Sequence, residues 1–399
     1  MQIDSIRKLF PGLQKRTFLD SACVSLAPLT AKTQVEKFLG MAVECQERDA
    51  SFHHIAMDSW RNETVIEAAK LFRVPTSRIA LVESTTHGLN IAANTIAFAP
   101  GDEVIMVDTE FLQVAIPFAK KEEQGLLRII PLPTNEAFSL ASLKTLIGPK
   151  TKALVLSSVQ WCSGERMPIM EIGEICRDRG IWLVVDGVHE AGAMHVDLSL
   201  RHDDFYVAGG HKWLNSPFGC GVMIMSERAL GLRPSSFGYL ALDAPQDGWG
   251  AYFQSPSQSP FRKYDFPPVA KSFEIAGTSN YPGAIALGEA MKIVNDLGPK
   301  VVEERILDLQ AFLRDELLSL GANLISPRER NKCSGITVFQ ISEKVEKNLN
   351  LLEQILDNDI LISVRYTNNK GGLRVSTHYF NNEQDINNLI SCLKKIQRK

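Results

Sequence analysis
The sequence has no excess of positive charge, no long apolar run and no paired pattern of cysteines, and each absence excludes something. The net charge is -3, with 43 Lys and Arg against 46 Asp and Glu, so nothing attracts nucleic acid or an anionic lipid surface. No stretch of about 18 apolar residues is present, so no membrane-spanning helix is expected. The 7 cysteines are odd in number and show no CxxC spacing, which fits reduced thiols in the cytoplasm and argues against a disulfide framework or a metal site. The start, Met1-Gln2-Ile3-Asp4-Ser5, lacks a basic end followed by an apolar run, so no signal peptide is expected. No GxGxxG turn follows an early strand, which sets a nicotinamide-binding enzyme aside. Internal repeats and low-complexity tracts are missing too.

What is present is a chain of 399 residues, 45% hydrophobic, long enough for a large core and more than one domain. Short apolar runs alternate with amphipathic stretches: 78–82, 103–107, 127–130, 153–156, 181–185, 205–208 and 221–225. This rhythm predicts an α/β fold built from βαβ units around a mostly parallel, buried sheet. Residues 231–271 break the rhythm with Pro, Ser, Gly and aromatics, and read as a long irregular excursion. Beyond it come helical patterns at 283–295 and 301–320, a strand at 336–340 and a helix at 348–357. Strands at 361–364 and 373–375 and a last helix from about 382 complete a smaller α+β domain. The expected division is 15–275 for the large domain and 276–399, with 1–14, for the small one.

Ligands of open α/β sheets bind at the carboxyl ends of the strands. There the apolar run Ile181-Trp182-Leu183-Val184-Val185 ends in Asp186, and Phe205-Tyr206-Val207-Ala208 leads to Gly209-Gly210-His211-Lys212. A carboxylate at the tip of a buried strand needs a cationic partner. Pyridoxal 5′-phosphate (PLP) needs this pair: a lysine amine for a Schiff base, and a carboxylate for the protonated pyridine nitrogen. Taken alone, the two residues fit a structural Asp and a lysine at a strand exit equally well. A third feature is Glu83-Ser84-Thr85-Thr86-His87-Gly88 ahead of an apolar-periodic helix. Such a helix start supplies amides, hydroxyls and a positive dipole end for a phosphate, although an ordinary N-cap reads the same way. The three together point to PLP.

The chain also resembles the class V aminotransferases of PLP fold type I, the group with cysteine desulfurases, kynureninase and isopenicillin N epimerase. The motifs are Leu19-Asp20-Ser21-Ala22, Ser84-Thr85-Thr86-His87-Gly88-Leu89-Asn90, Val185-Asp186-Gly187-Val188-His189, Gly210-His211-Lys212-Trp213-Leu214, Ala276-Gly277-Thr278 and Leu373-Arg374-Val375-Ser376. The resemblance implies that Lys212 carries the cofactor, Asp186 meets the pyridine nitrogen and His189 the phenolic oxygen. It implies that Thr85 and Thr86 hold the phosphate with His211 beside them, and that Thr278 reaches the phosphate of a second subunit, making a homodimer. Phe111 takes the place of the ring that stacks on the cofactor, with a core residue as the open alternative. Arg374 matches the arginine that grips the substrate carboxylate, and Arg365 is a second candidate that reads equally well as a solvated side chain.

Three departures qualify the resemblance. The segment Tyr366-Thr367-Asn368-Asn369-Lys370-Gly371-Gly372 holds no cysteine, whereas desulfurases of this type carry a nucleophilic one there. Gly209 stands where many relatives have Ser or Thr, leaving Ser84 as a candidate substitute hydroxyl. Trp161 stands where relatives place a polar residue, which implies a bulkier, more apolar substrate wall. Cys23 and Cys162 are expected to be small packed residues, and Cys333 structural. The expected activity is aminotransferase-like chemistry at the Cα of an amino acid. A carbon–sulfur or other β-lyase, an epimerase-like enzyme and a PLP-binding scaffold without catalysis are the alternatives.

Overall fold
The computed structural model describes residues 3–134, 138–243, 245–246, 248–274 and 279–398. The division drawn at 275–276 and the motif around Thr278 lie outside the described residues.

Each of the seven apolar runs forms a strand of one sheet: β1 (Ile79–Val82), β2 (Asp102–Val107), β3 (Leu127–Leu132), β4 (Thr151–Ser157), β5 (Trp182–Asp186), β6 (Phe205–Gly209) and β7 (Gly221–Met225). Their order across the sheet is β1-β7-β6-β5-β4-β2-β3. All neighbours are parallel except β7, which runs antiparallel to both β1 and β6. Successive side chains of a strand point to opposite faces. Here both sets are apolar because both faces are covered. Leu154, Leu156, Leu183 and Val185 join one core, and Ala153, Val155 and Val184 the other. This is why the strands read as continuous apolar runs.

The second sheet is antiparallel, β8 (Asn323–Leu324), β9 (Ile336–Gln340), β10 (Ser363–Thr367) and β11 (Lys370–Ser376), in the order β10-β11-β9-β8. The single strand expected at 361–364 is in fact divided. Ile360–Leu361 pairs in parallel with Thr17–Phe18, and only from Ser363 does the chain join the second sheet. A left-handed residue, Asp359 (φ 57°), precedes the break. The expected helices appear as Tyr281–Leu297, Pro299–Ser319, Val345–Leu356 and Glu383–Gln397, the last opened by a capping box between Asn382 and Asp385. Among its described residues the excursion is irregular apart from the short helix Gly248–Gln254 and brief 3₁₀ turns at Tyr239–Ala241 and Ala270–Phe273. No helix among the described residues is long and apolar enough to cross a membrane.

The helix Thr85–Thr95 lies on the central sheet and carries the phosphate motif. Its Gly88 allows that approach, since a Cβ there would stand 2.4 Å from Val207 Cγ1. Val207 sits on a buried strand and has little room to yield. Gly88→Ala is therefore expected to lower stability by about 1–3 kcal/mol. Chemical denaturation checks this, and an unchanged unfolding midpoint would contradict it.

Candidate active site
The carboxyl ends of β5 and β6 and the start of the helix Thr85–Thr95 meet at a cavity of about 300 Å³. Asp186 ends β5, and Lys212 follows β6 by three residues, so the sheet itself sets the two side by side. Both line the cavity, as do His189, His211, Thr85 and Thr86. Phe111 and Trp161 form another part of the wall, and Arg365 and Arg374 enter from β10 and β11. The described site residues expected from the sequence thus fall in one place; Thr278 lies outside the described residues.

Burial governs the charges here. It pulls the Lys212 amine down to about 8, against the opposing pull of Asp186. It pushes the Asp186 carboxyl up to about 6, resisted by a hydrogen bond from the Val188 amide at 2.9 Å and by Lys212. His189 is held far below the ordinary imidazole value by burial and then by Lys212, Arg374 and His211. Its Nε2 lies 3.3 Å from Lys212 Nζ, and its Nδ1 accepts from Trp213 Nε1 at 3.2 Å. The His211 ring is stacked on Phe218 at 4.9 Å and pulled down to about 4, mainly by burial.

At the helix start, Ser84 caps: its Oγ accepts from the His87 amide at 3.1 Å. The amides of Thr85 and Thr86 have no intrahelical acceptor. Gly209 donates its N–H to Thr85 Oγ1 at 2.9 Å, which leaves the Thr85 hydroxyl proton for another acceptor. A Cβ at Gly209 would stand 3.0 Å from that same oxygen, so here the backbone N–H alone makes the contact. A lysine amine near neutrality, a carboxylate at a strand tip, a helix start with free donors and the flat Phe111 ring, 5.8 Å from Lys212 Nζ, fit PLP.

Arg374 is 2% exposed. Its Nη2 donates to Asp20 Oδ1 at 3.4 Å and its Nη1 to the Trp161 carbonyl at 3.3 Å, while its Nε has no partner among the described residues. A buried guanidinium held this loosely is suited to a further anion. Arg365 donates to its neighbour's carbonyl, Val364 O, at 2.8 Å and to Cys23 Sγ at 3.5 Å. Trp161 meets Phe111 edge-on at 5.3 Å and donates its indole N–H to Thr109 O at 3.0 Å.

The two cysteines read alike in the sequence part company. Cys162 is buried, with its thiol pushed up to about 12, whereas Cys23 is half-buried and lines the cavity. A residue that sequence reasoning did not single out is Glu110. Its carboxyl accepts from the Ser157 amide and hydroxyl and from Gln160, and burial raises it to about 7. Only its place before Phe111 hinted at this. The segment without a cysteine forms a two-residue turn between β10 and β11, with Asn368 and Asn369 left-handed at φ 45° and 60°. Asn368 Nδ2 donates to Asp108 Oδ2 at 2.9 Å and Lys370 Nζ to Thr134 O at 2.5 Å, which pins the turn to the large sheet's loops.

The family model for the class-V aminotransferases matches residues 17–389. The isopenicillin N epimerase of Amycolatopsis lactamdurans is 28% identical over 334 residues, covering 80% of this chain and 81% of that protein. The cysteine desulfurase of Serratia proteamaculans is 27% identical over 418 residues, covering 99% and 98%. Among solved structures, the apo cysteine desulfurase of Thermococcus onnurineus superposes with a TM-score of 0.86 at 20% identity, over 100% of this chain and 99% of that one. A C-DES variant with glycine covalently linked to its PLP cofactor superposes at 0.85 and 20% identity, over 97% and 98%. These likenesses establish the α/β architecture of PLP fold type I. The chain belongs to the class-V aminotransferase family of pyridoxal-phosphate-dependent enzymes.

Proposed function
We propose that the chain acts at the Cα of an α-amino acid in an aminotransferase-like manner, with Lys212 holding the cofactor and afterwards moving the Cα proton. The observation that carries this reading is the single cavity shared by the Lys212 amine, the Asp186 carboxyl and the incompletely satisfied Arg374 guanidinium. When bound, PLP supplies an electron sink for charge developing at Cα. Asp186 would pair with the pyridine nitrogen, and a positive charge there relieves a carboxylate that burial disfavours. Thr85, Thr86 and the helix start would hold the phosphate, with His211 beside them. His189 would donate to the phenolic oxygen, and Phe111 would cover one face of the ring. Arg374 takes the substrate carboxylate, Arg365 stands by as a second cation, and Trp161 narrows the substrate wall. With its amine drawn to about 8, Lys212 keeps roughly a tenth of its amine unprotonated at pH 7, far more than an ordinary lysine, and serves as the base.

A second reading, β-elimination at a carbon–sulfur or similar bond, is favoured by the pinned Asn368-Asn369 turn. With no thiol on that turn, a leaving group departs to solvent instead of onto protein sulfur. The same pocket would serve an epimerase-like enzyme if the proton returned from the opposite face.

The purified protein, supplied with PLP, should turn over at least one member of a panel of α-amino acids. Amino-group transfer yields the matching keto acid. Pyruvate with free ammonia marks the lyase, and inversion alone marks the epimerase. A loaded protein inert to every amino acid would contradict the enzyme reading. Arg374→Ala should keep PLP bound and lose about 2–5 kcal/mol of substrate binding, a KM rise of roughly 30-fold or more; an unchanged KM refutes the carboxylate role. The working form is proposed to be a homodimer, because Thr278 is read as reaching a neighbour's phosphate. Full activity at a monomeric mass in light scattering would contradict that.

A further inference from the structure
We infer that Trp213 is a positioning residue: it sets which nitrogen of His189 carries the proton, and the C-terminal sheet holds it in place to do so.

An indole N–H can only donate, so the His189 Nδ1 atom 3.2 Å away must offer a lone pair. The single proton of the neutral ring then sits on Nε2, which donates to the Lys212 amine 3.3 Å away when that amine is unprotonated. The ring stays neutral because it is 3% exposed and because Lys212 and Arg374 disfavour a further positive charge beside them. Asp186 is the acid that shares the cavity. His189 therefore presents a fixed donor to the cavity and has no lone pair there to act as a base.

Trp213 is itself held from a distance. It is fully buried, and its ring stacks on His378 at 5.1 Å and 26°. His378 Nδ1 accepts from the Tyr379 amide at 2.8 Å, so the His378 proton lies on Nε2, which donates to the Trp213 carbonyl at 3.2 Å. The imidazole of His378 lies between that indole and Phe380, 4.5 Å away and nearly parallel at 8°. Gly335, just before β9, leaves the space the indole fills, since a Cβ there would stand 2.3 Å from Trp213 Cη2. Two imidazole tautomers are thus set in series, from the end of β11 through Trp213 to the cavity. The C-terminal sheet reaches the site by this route as well as through Arg365 and Arg374.

The inference rests on the reading that His189 faces a bound PLP, and its test separates the two. Nitrogen-15 NMR of histidine-labelled full-length protein, with the His189 signals assigned by their loss in His189→Gln, reads the tautomer with and without cofactor. The wild type should show a protonated Nε2 and a bare Nδ1. In Trp213→Phe the two shifts should move toward each other as the ring samples both tautomers. The pH midpoint of the bound cofactor's visible band should rise, on the order of one unit, because the phenolic oxygen loses part of a donor and holds its neighbouring proton more tightly. A protonated Nδ1 in the wild type overturns the inference even if Trp213→Phe does not fold. So does an unchanged His189 pattern or band midpoint in a folded Trp213→Phe. Failure of the wild type to develop any visible band with PLP overturns the functional reading instead, and leaves the tautomer result from the cofactor-free protein standing.

Discussion
The site depends on one constraint: a lysine amine and a carboxyl are buried together at the ends of adjacent parallel strands. Removing either charge from water is unfavourable, and each partly offsets the other. Burial wins for both, drawing Lys212 to about 8 and Asp186 to about 6. Two groups that an ordinary surface would keep fully ionised are thereby left within reach of proton transfer near neutrality. The seven-stranded sheet makes this possible. Its strands are apolar on both faces, so the polar residues of β5 and β6 gather at one end, where the helix starting at Thr85 adds free amides.

The central sheet does not complete the cavity alone. Arg374 and Arg365 come from the antiparallel C-terminal sheet, and Asp20, which takes part of the Arg374 charge, comes from the chain's beginning. That beginning is tied to the end by the pairing of Thr17–Phe18 with Ile360–Leu361. The amino-acid end of the pocket is therefore assembled from segments more than 300 residues apart. The tight Asn368-Asn369 turn, held to Asp108 and, through Lys370, to Thr134, carries no thiol.

The framework was legible in the sequence because it rests on local signals. Continuous apolar runs between helical patterns gave away a two-sided sheet, and polar residues at the ends of those runs marked the site. Asp186, Lys212 and Thr85 were readable in this way from residue chemistry and position. His189, Arg374 and Phe111 came from resemblance, since nothing local distinguishes them. What could not be read depends on contacts between distant segments. The break between Leu361 and Ser363 follows from a partner strand at Thr17. Cys23 differs from Cys162 only because Arg365 and the cavity lie beside the former. The Glu110 cluster needs Ser157 and Gln160 brought from another strand end, and the Trp213–His189 contact joins two loops whose apposition no spacing reveals.

The most direct test of the central claim is to treat the PLP-loaded protein with borohydride, digest it and locate the modified residue by mass spectrometry. The account expects the pyridoxyl group on Lys212 and its loss when Asp186 is replaced by Ala and the protein is unable to retain cofactor. A pyridoxyl group on any other lysine, or none in a protein that binds PLP stoichiometrically, would contradict it.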